Sequence, residues 1–254
     1  MPVRVYKLGG PALEDPGLVA PLAEELRRAG TRTVLVHGGG RHVERMLRLL
    51  GIESRFVAGR RETSPAAMEV VEMVLSGAVG KSLASELTQA GLPAVGVSGR
   101  DAGLLRAVLQ PGLGRVGTIV RVAPALVVSL WRAGFVPVVS PVSSGPTGES
   151  LNVNADEAAL GLAAALRARS LVYLSDVDGV RIGGETLPAL GSRDAQRHIE
   201  GGAISGGMAL KVRTALGAAD AGIPEVVIAG RGRLEGGFAG TRITPEPAPQ
   251  QARA

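Results

Sequence analysis

Two short apolar runs, residues 3–6 and 33–36, each run into glycines: Lys7-Leu8-Gly9-Gly10 after the first and His37-Gly38-Gly39-Gly40 after the second. An amphipathic helical pattern follows each run. A strand, a glycine turn and a helix in that order aim unpaired backbone N–H groups, and the positive end of the helix, at an anion. Two such corners, a lysine closing the first strand and a third lysine-bearing glycine segment, Gly206-Gly207-Met208-Ala209-Leu210-Lys211, point to phosphate chemistry.

The alternation continues along the chain and predicts an α/β fold with a mainly parallel sheet. Leu18, Val19, Leu22 and Leu26 have helical spacing ahead of Gly30, and residues 42–50 repeat the pattern ahead of Gly51. Ser64-Pro65 combines a capping hydroxyl with proline at the first helical position, opening a helix through Met68, Val71 and Leu75. Residues 94–97 and 136–139 read as buried strands, and the glycine-punctuated stretch 104–122 between them as a hairpin. Asn154 caps an Ala/Leu-rich helix that ends near Leu166, and the strand 170–174 follows. A boundary near residue 168 would separate an N-terminal lobe, 1–168, from a C-terminal lobe, 169–254. The proline-rich tail from Thr244 onward is expected to fray.

Composition narrows the chemistry. The 254 residues suffice for a full core, but aromatics make up only 2%, so aliphatic side chains must pack it and stacking on single-stranded nucleic acid is disfavoured. There is no cysteine, which excludes disulfides, thiolate nucleophiles and cysteine-held metals, and three scattered histidines do not make a metal site. Neither a signal sequence nor an uncharged run long enough for a bilayer is present, so a soluble cytoplasmic protein is expected. The net charge of +5 comes mostly from arginines dispersed among glutamates. It suits anionic substrates better than a nucleic-acid footprint.

Individual motifs need weighing. Gly80-Lys81-Ser82 ends like a P-loop, but the required earlier glycine is Leu75 and the segment follows a helix; a helix–turn–helix junction is the better reading. The His37 corner fails as a dinucleotide fingerprint, because its third glycine would fall at Val43. Lys7 could be a lysine snorkelling from a strand end, yet its place before Gly-Gly favours a phosphate contact. Arg61 is balanced between solvated surface and function. Asn152 and Asn154 share a direction if the chain is extended, while Asn154 and Asp156 could equally serve only the helix start. Lys211 follows Gly206-Gly207 at a helix start, where a second positive charge invites an anion.

Taken in order, several segments resemble the amino-acid kinase family: Lys7 to Gly10, His37 to Gly40, Gly59-Arg60-Arg61-Glu62-Thr63, Glu69 to Gly77, Leu113 to Gly117, Asn152 to Asp156, Leu174 to Val180, Gly206 to Lys211 and Gly240 to Ile243. The resemblance implies an open αβα sandwich that transfers the γ-phosphoryl group of ATP, with Mg²⁺ held mainly through phosphates and water, to the side-chain carboxylate of N-acetyl-L-glutamate in arginine biosynthesis. By position, Lys7 and Lys211 would stabilise the transferring group and Asp156 would orient both. Gly39 and Gly40 would offer N–H groups to the acceptor, Arg61 would clamp its α-carboxylate, and Asn152 would bind the N-acetylglutamate moiety. The nucleotide would be bordered by Gly9, Gly10, Asp176, Val177, Asp178, Gly179, Val180, Arg181, Ala203, Ile204 and Ser205.

Three departures fall near the acceptor: Gly80 where asparagine is frequent, and Arg60 and Glu62 in place of apolar neighbours of the substrate arginine. The first strand begins almost at once, at Val3, so a homodimer without the hexamer-building N-terminal helix is expected. Neither a nucleic-acid nor a membrane partner is. The nearest rival is a kinase of lysine biosynthesis acting on aminoadipate carried by a small acidic protein, against which the short 56–63 stretch argues. A non-catalytic ligand sensor on the same fold would have lost a phosphate lysine, and both remain.

Overall fold

The structure, a computed structural model, describes residues 1–9, 11–29, 32–57, 59–231 and 240–245. Its elements follow the predicted alternation: β1 (Val3–Leu8), α1 (Val19–Ala29), β2 (Arg32–His37), α2 (Gly40–Leu49), β3 (Phe56–Val57), β4 (Arg60–Arg61), α3 (Pro65–Glu72), a π-helical stretch (Met73–Val79), α4 (Gly80–Gln89), β5 (Ala94–Ser98), β6 (Leu105–Leu109), β7 (Gly117–Val122), α5 (Ala125–Arg132) and β8 (Val136–Ser140). Then come β9 (Val142–Ser144), β10 (Ser150–Asn152), α6 (Ala155–Ala165), β11 (Ser170–Leu174), β12 (Arg181–Ile182), β13 (Glu185–Thr186), β14 (Ala189–Gly191), α7 (Ser192–Glu200), α8 (Gly206–Asp220), β15 (Glu225–Ala229) and β16 (Thr241–Thr244).

Eight strands form one sheet in the order β14-β16-β15-β11-β1-β2-β8-β5, parallel except where β15 meets β16. The sheet is continuous across residue 168, since β11 pairs with β1 in parallel register, Lys7 opposite Tyr173. Helices cover both faces, as parallel sheets require. Side-chain alternation along β1 divides them. Tyr6 and Leu8 join Leu22, Leu26, Leu83 and Leu87 of α1 and α4. Val5 joins Ala158 and Leu162 of α6 and Val212 and Ala215 of α8. Lys7 shares the face of Val5, so alternation alone turns its side chain toward α6 and α8. A full-buried leucine such as Leu22, Leu35 or Leu87 contributes about 1.5–3 kcal/mol by leaving water.

The 104–122 hairpin forms as read: β6 and β7 pair antiparallel, inside a second sheet of order β10-β9-β6-β7. The turn read at Gly77 to Ser82 does not form. The chain runs from α3 through the π-helical stretch into α4 without leaving the helix, and the N–H of Gly80 reaches back five residues to the Leu75 carbonyl. One extra residue per turn is accommodated there where a break had been expected. Lys81 donates to the Gly96 carbonyl at 2.6 Å, tying α4 to β5, so it serves no phosphate loop. Gly10, Gly30 and the tail beyond residue 245 lie outside the described residues.

Candidate active site

The carboxyl ends of β1 and β2 open on one cleft, where parallel α/β sheets bind ligands. At its floor Lys7 Nζ lies 2.9 Å from Asp156 Oδ1, and Lys211 Nζ lies 3.4 Å from the same oxygen and 3.5 Å from Oδ2. The sequence builds this from three elements. Lys7 ends β1; Lys211 is the sixth residue of α8; Asp156 sits in the first turn of α6, where the Asn154 side chain accepts from the N–H groups of Asp156 and Glu157 at 2.8 and 3.3 Å. Asn154 is therefore the helix cap, and the positive end of α6 favours the Asp156 charge. All three charged groups are less than a tenth exposed.

Burial acts on these charges and the neighbours answer it. Burial pushes the Lys211 ammonium pKa down to about 8, the nearby Lys7 adds to the fall, and Asp156 opposes it. Burial pushes the Asp156 carboxyl up, but the two ammonium groups outweigh it and hold the pKa below the ordinary carboxylate value. Beneath Lys211, 5.7 Å from Nζ, lies the ring of Tyr173, whose own hydroxyl is driven well above its usual pKa by burial and then by Asp156. One carboxylate against two ammonium groups leaves a positive charge out of bulk water, a setting that favours an incoming anion. The anion that Lys211 called for from sequence is thus supplied only in part, by Asp156.

Lys7 also lines a cavity of about 220 Å³ together with Gly39, Gly40, Arg61, Asn152 and Asn154. Gly39 has φ +148°, and a Cβ there would fall 2.7 Å from Leu75 and 3.3 Å from Val79. Only glycine fits between the π-helical stretch and the cleft. At Gly40 the equivalent space is empty, and this residue opens α2, so the helix's positive end faces the cavity. Behind the corner His37 is fully buried; its Nδ1 is 2.8 Å from the Gly38 carbonyl, and burial lowers its pKa to about 4, so it is a neutral strut at physiological pH.

Arg61 is fixed in the cavity wall. It donates to Glu44 at 2.5 Å, to Ser54 Oγ and to the Gly40 carbonyl at 3.2 Å, and its guanidinium stacks 4.6 Å over Phe56. Asn152 donates to Thr63 Oγ1 at 3.0 Å, and Thr63 in turn donates to the Arg61 carbonyl. Glu44, Ser54, Thr63 and Tyr173 were not read from sequence. Tyr173 had a signal, being one of two tyrosines in a chain almost without aromatics. Glu44 and Ser54 are polar residues no motif singles out, and Thr63 closes the Gly59 to Thr63 segment, which gave it no role.

The residues assigned to the nucleotide gather less tightly. Asp176 and Asp178 are exposed and line a separate cavity of about 230 Å³ with Leu174, Asp15 and Arg231. Gly9 donates its N–H to the Leu174 carbonyl at 2.9 Å, and a Cβ would stand 3.1 Å from that oxygen, so β1 and β11 stay close where they end. Val177 lies between Asp176 and Asp178. Gly179, Val180 and Ile204 are buried, the Val180 N–H donates to Thr241 Oγ1 at 2.8 Å, and the Val180 and Ile204 side chains serve the core. Arg181 folds back on the Gly184 carbonyl at 2.7 Å, while Ala203 and Ser205 are exposed just before α8. Gly10 falls outside the described residues. Among the described residues no group of three or more His, Asp or Glu is placed to hold a metal ion.

The amino acid kinase family model matches residues 2–230. A protein of Rubrobacter xylanophilus named acetylglutamate kinase is 47% identical over 94% of each chain. One of the same name from Bacillus velezensis is 40% identical over 95% of this chain and 96% of its own. A crystal structure from Streptococcus mutans superposes with a TM-score of 0.86 at 27% identity, covering 95% of this chain and 98% of that one.

Proposed function

The chain belongs to the amino acid kinase family, and from that premise we propose that it phosphorylates the side-chain carboxylate of N-acetyl-L-glutamate at the expense of ATP, in arginine biosynthesis. The observation that carries the chemistry is the pair of buried ammonium groups sharing Asp156 beside a cavity walled by a fixed arginine. A side-chain carboxylate is already ionised at neutral pH, so no general base is needed. The obstacle is bringing two anions together and meeting the charge that spreads over the migrating phosphoryl oxygens.

The residues divide that task. Arg61, already pinned to Glu44, presents its remaining donors to the acceptor's α-carboxylate. Asn152 holds the acylated end. Gly39 and Gly40 turn N–H groups to the reacting carboxylate, and Lys7 approaches the transferring group from the strand side. Lys211 approaches from α8 and follows the charge toward the leaving oxygen. Asp156 keeps both ammonium groups aimed and prevents either from collapsing onto the acceptor. A carboxylate oxygen forms its bond to the γ-phosphorus as the bond to the departing diphosphate oxygen breaks, giving an acyl phosphate and ADP with no proton transferred. Residues 1–168 form the acceptor lobe and residues 169–254 the nucleotide lobe. Mg²⁺ would be held mainly through the triphosphate and water, and would offset phosphate charge there. The protein works in the cytoplasm as a homodimer.

Trapping the acyl phosphate with hydroxylamine tests the assignment across a panel of acylated amino acids and carrier-linked aminoadipate. Hydroxamate should form with ATP and N-acetylglutamate at least tenfold faster than with any other acceptor. Preference for the carrier-linked substrate would replace this reading.

A further inference from the structure

Arg60 and Glu62 depart from the apolar neighbours that the family resemblance leads one to expect beside Arg61, and the structure gives each its own partner. Glu62 is held by Arg55 through two bonds, at 2.8 and 3.2 Å, on the exposed rim of the β3–β4 hairpin. Arg60 turns the other way. Its Nη2 donates to Glu157 Oε1 at 2.5 Å and its Nη1 to Gln110 Oε1 at 2.8 Å, with the ion pair about four-fifths buried. One side chain thereby joins three elements around the acceptor cavity: the hairpin carrying Arg61, the loop between β6 and β7, and the first turn of α6.

Glu157 directly follows Asp156. Left alone, a carboxylate four-fifths buried beside a cleft that must admit a dicarboxylate and a triphosphate would repel both. Arg60 cancels that charge while tying down the hairpin that presents Arg61. It reaches neither Lys7 nor Lys211 in the structure, so its influence falls on the acceptor end of the cavity.

On the kinase reading above, we propose that Arg60, through Glu157 and Gln110, is a positioning residue for the acceptor: it latches the β3–β4 hairpin onto α6 so that Arg61 stands at carboxylate-binding distance before substrate arrives. The departure at Arg60 then makes up a polar latch with Glu157 and Gln110, while Glu62 stays paired with Arg55 on the rim.

A double-mutant cycle on the full-length protein tests this, using Arg60→Leu, Glu157→Leu, their combination and Arg60→Lys, with thermal unfolding run on each. Arg60→Leu and Glu157→Leu should each raise the acceptor KM about tenfold, the scale of coupling between groups in contact. The KM for ATP and kcat should stay within about twofold. The double variant should match a single one instead of multiplying to about a hundredfold, and Arg60→Lys, which keeps the charge but only part of the fork, should fall between. An unchanged acceptor KM in Arg60→Leu, a fall confined to kcat, or full multiplication of the two effects would overturn the latch. Turnover of N-acetylglutamate by the unsubstituted protein, measured alongside, separates that result from failure of the kinase reading itself.

Discussion

Lys7 and Lys211, one on a strand end and one inside a helix, point their ammonium groups at the same carboxylate oxygen, Asp156 Oδ1, from 2.9 and 3.4 Å. Two cations that would repel each other are held convergent by a single anion, and both stand less than a tenth exposed. On the proposed mechanism, the electrostatic field for phosphoryl transfer is therefore built before any substrate enters.

Removing either ammonium group should act on turnover more than on binding. Lys7→Met and Lys211→Met are each expected to lower kcat about 10²–10³-fold, the loss seen when one pre-aimed electrostatic group is deleted. Asp156→Asn should give a comparable fall with both lysines intact, because their mutual repulsion then goes unopposed. Steady-state kinetics with N-acetylglutamate and ATP check all three, and an Asp156→Asn variant with full kcat would remove its orienting role.

The pKa of Lys211 sets an alkaline limit. Lowered from 10.5 to about 8, the free protein loses the Lys211 charge as pH rises past that value, so kcat/KM should decline above pH 8. Bound anions favour the ammonium form, so the limb in kcat should lie at higher pH. Unfolding is not the cause: a depressed lysine pKa weighs against the folded state below about 8, and that burden is relieved as pH climbs toward 10.5. The acceptor's acylated nitrogen does not titrate in this range. A kcat/KM profile flat to pH 9.5 would contradict the assignment.

The two glycines of the second corner should fail differently. Gly39→Ala places a methyl group 2.7 Å from Leu75 at φ +148°. It should destabilise the fold by about 1–3 kcal/mol, visible as a fall of roughly 5 °C in the thermal midpoint. Gly40→Ala meets nothing within 4 Å. It should melt like the parent while its acceptor KM rises about tenfold, because the methyl occupies the approach to the backbone. Equal melting losses in both would show that the corner is structural only.

Arg61 is expected to resist conservative replacement. Lysine cannot reproduce a planar fork that already spends donors on Glu44, Ser54 and Gly40. Arg61→Lys should raise the acceptor KM about 10–100-fold with little change in the KM for ATP, measured by initial rates at saturating nucleotide.

Much of the architecture was legible because local signals were strong. Ser64 and Asn154 cap α3 and α6 as their side chains and positions imply, and the strands at 94–98 and 136–140 pair in parallel. The helical run through Gly77 to Ser82 was missed because glycine and the Gly80-Lys81-Ser82 string read as a turn, whereas packing of Val74, Leu75 and Val79 keeps the backbone helical in π form. The missing side chain at Gly80 has a local counterpart: a Cβ there would stand 3.1 Å from His37 Nε2, the strut behind the glycine corner. For the cleft itself, spacing left Lys7, Asp156 and Lys211 each with a bland alternative. They meet because strand alternation and two helix starts project them to one point, a three-dimensional fact that the family resemblance carried and local pattern did not. The supporting roles of Glu44, Thr63 and Glu157 could not be read from sequence, since they exist only once the hairpin lies against α6.

The most direct test of the convergent lysines is a crystal structure of the protein with N-acetylglutamate, ADP, Mg²⁺ and a planar phosphoryl mimic such as aluminium fluoride. Both Lys7 Nζ and Lys211 Nζ should lie within hydrogen-bonding distance of the mimic's fluorines or its bridging oxygens, about 2.7–3.2 Å. A mimic contacted by one ammonium group alone, or seated away from Asp156, would contradict the account.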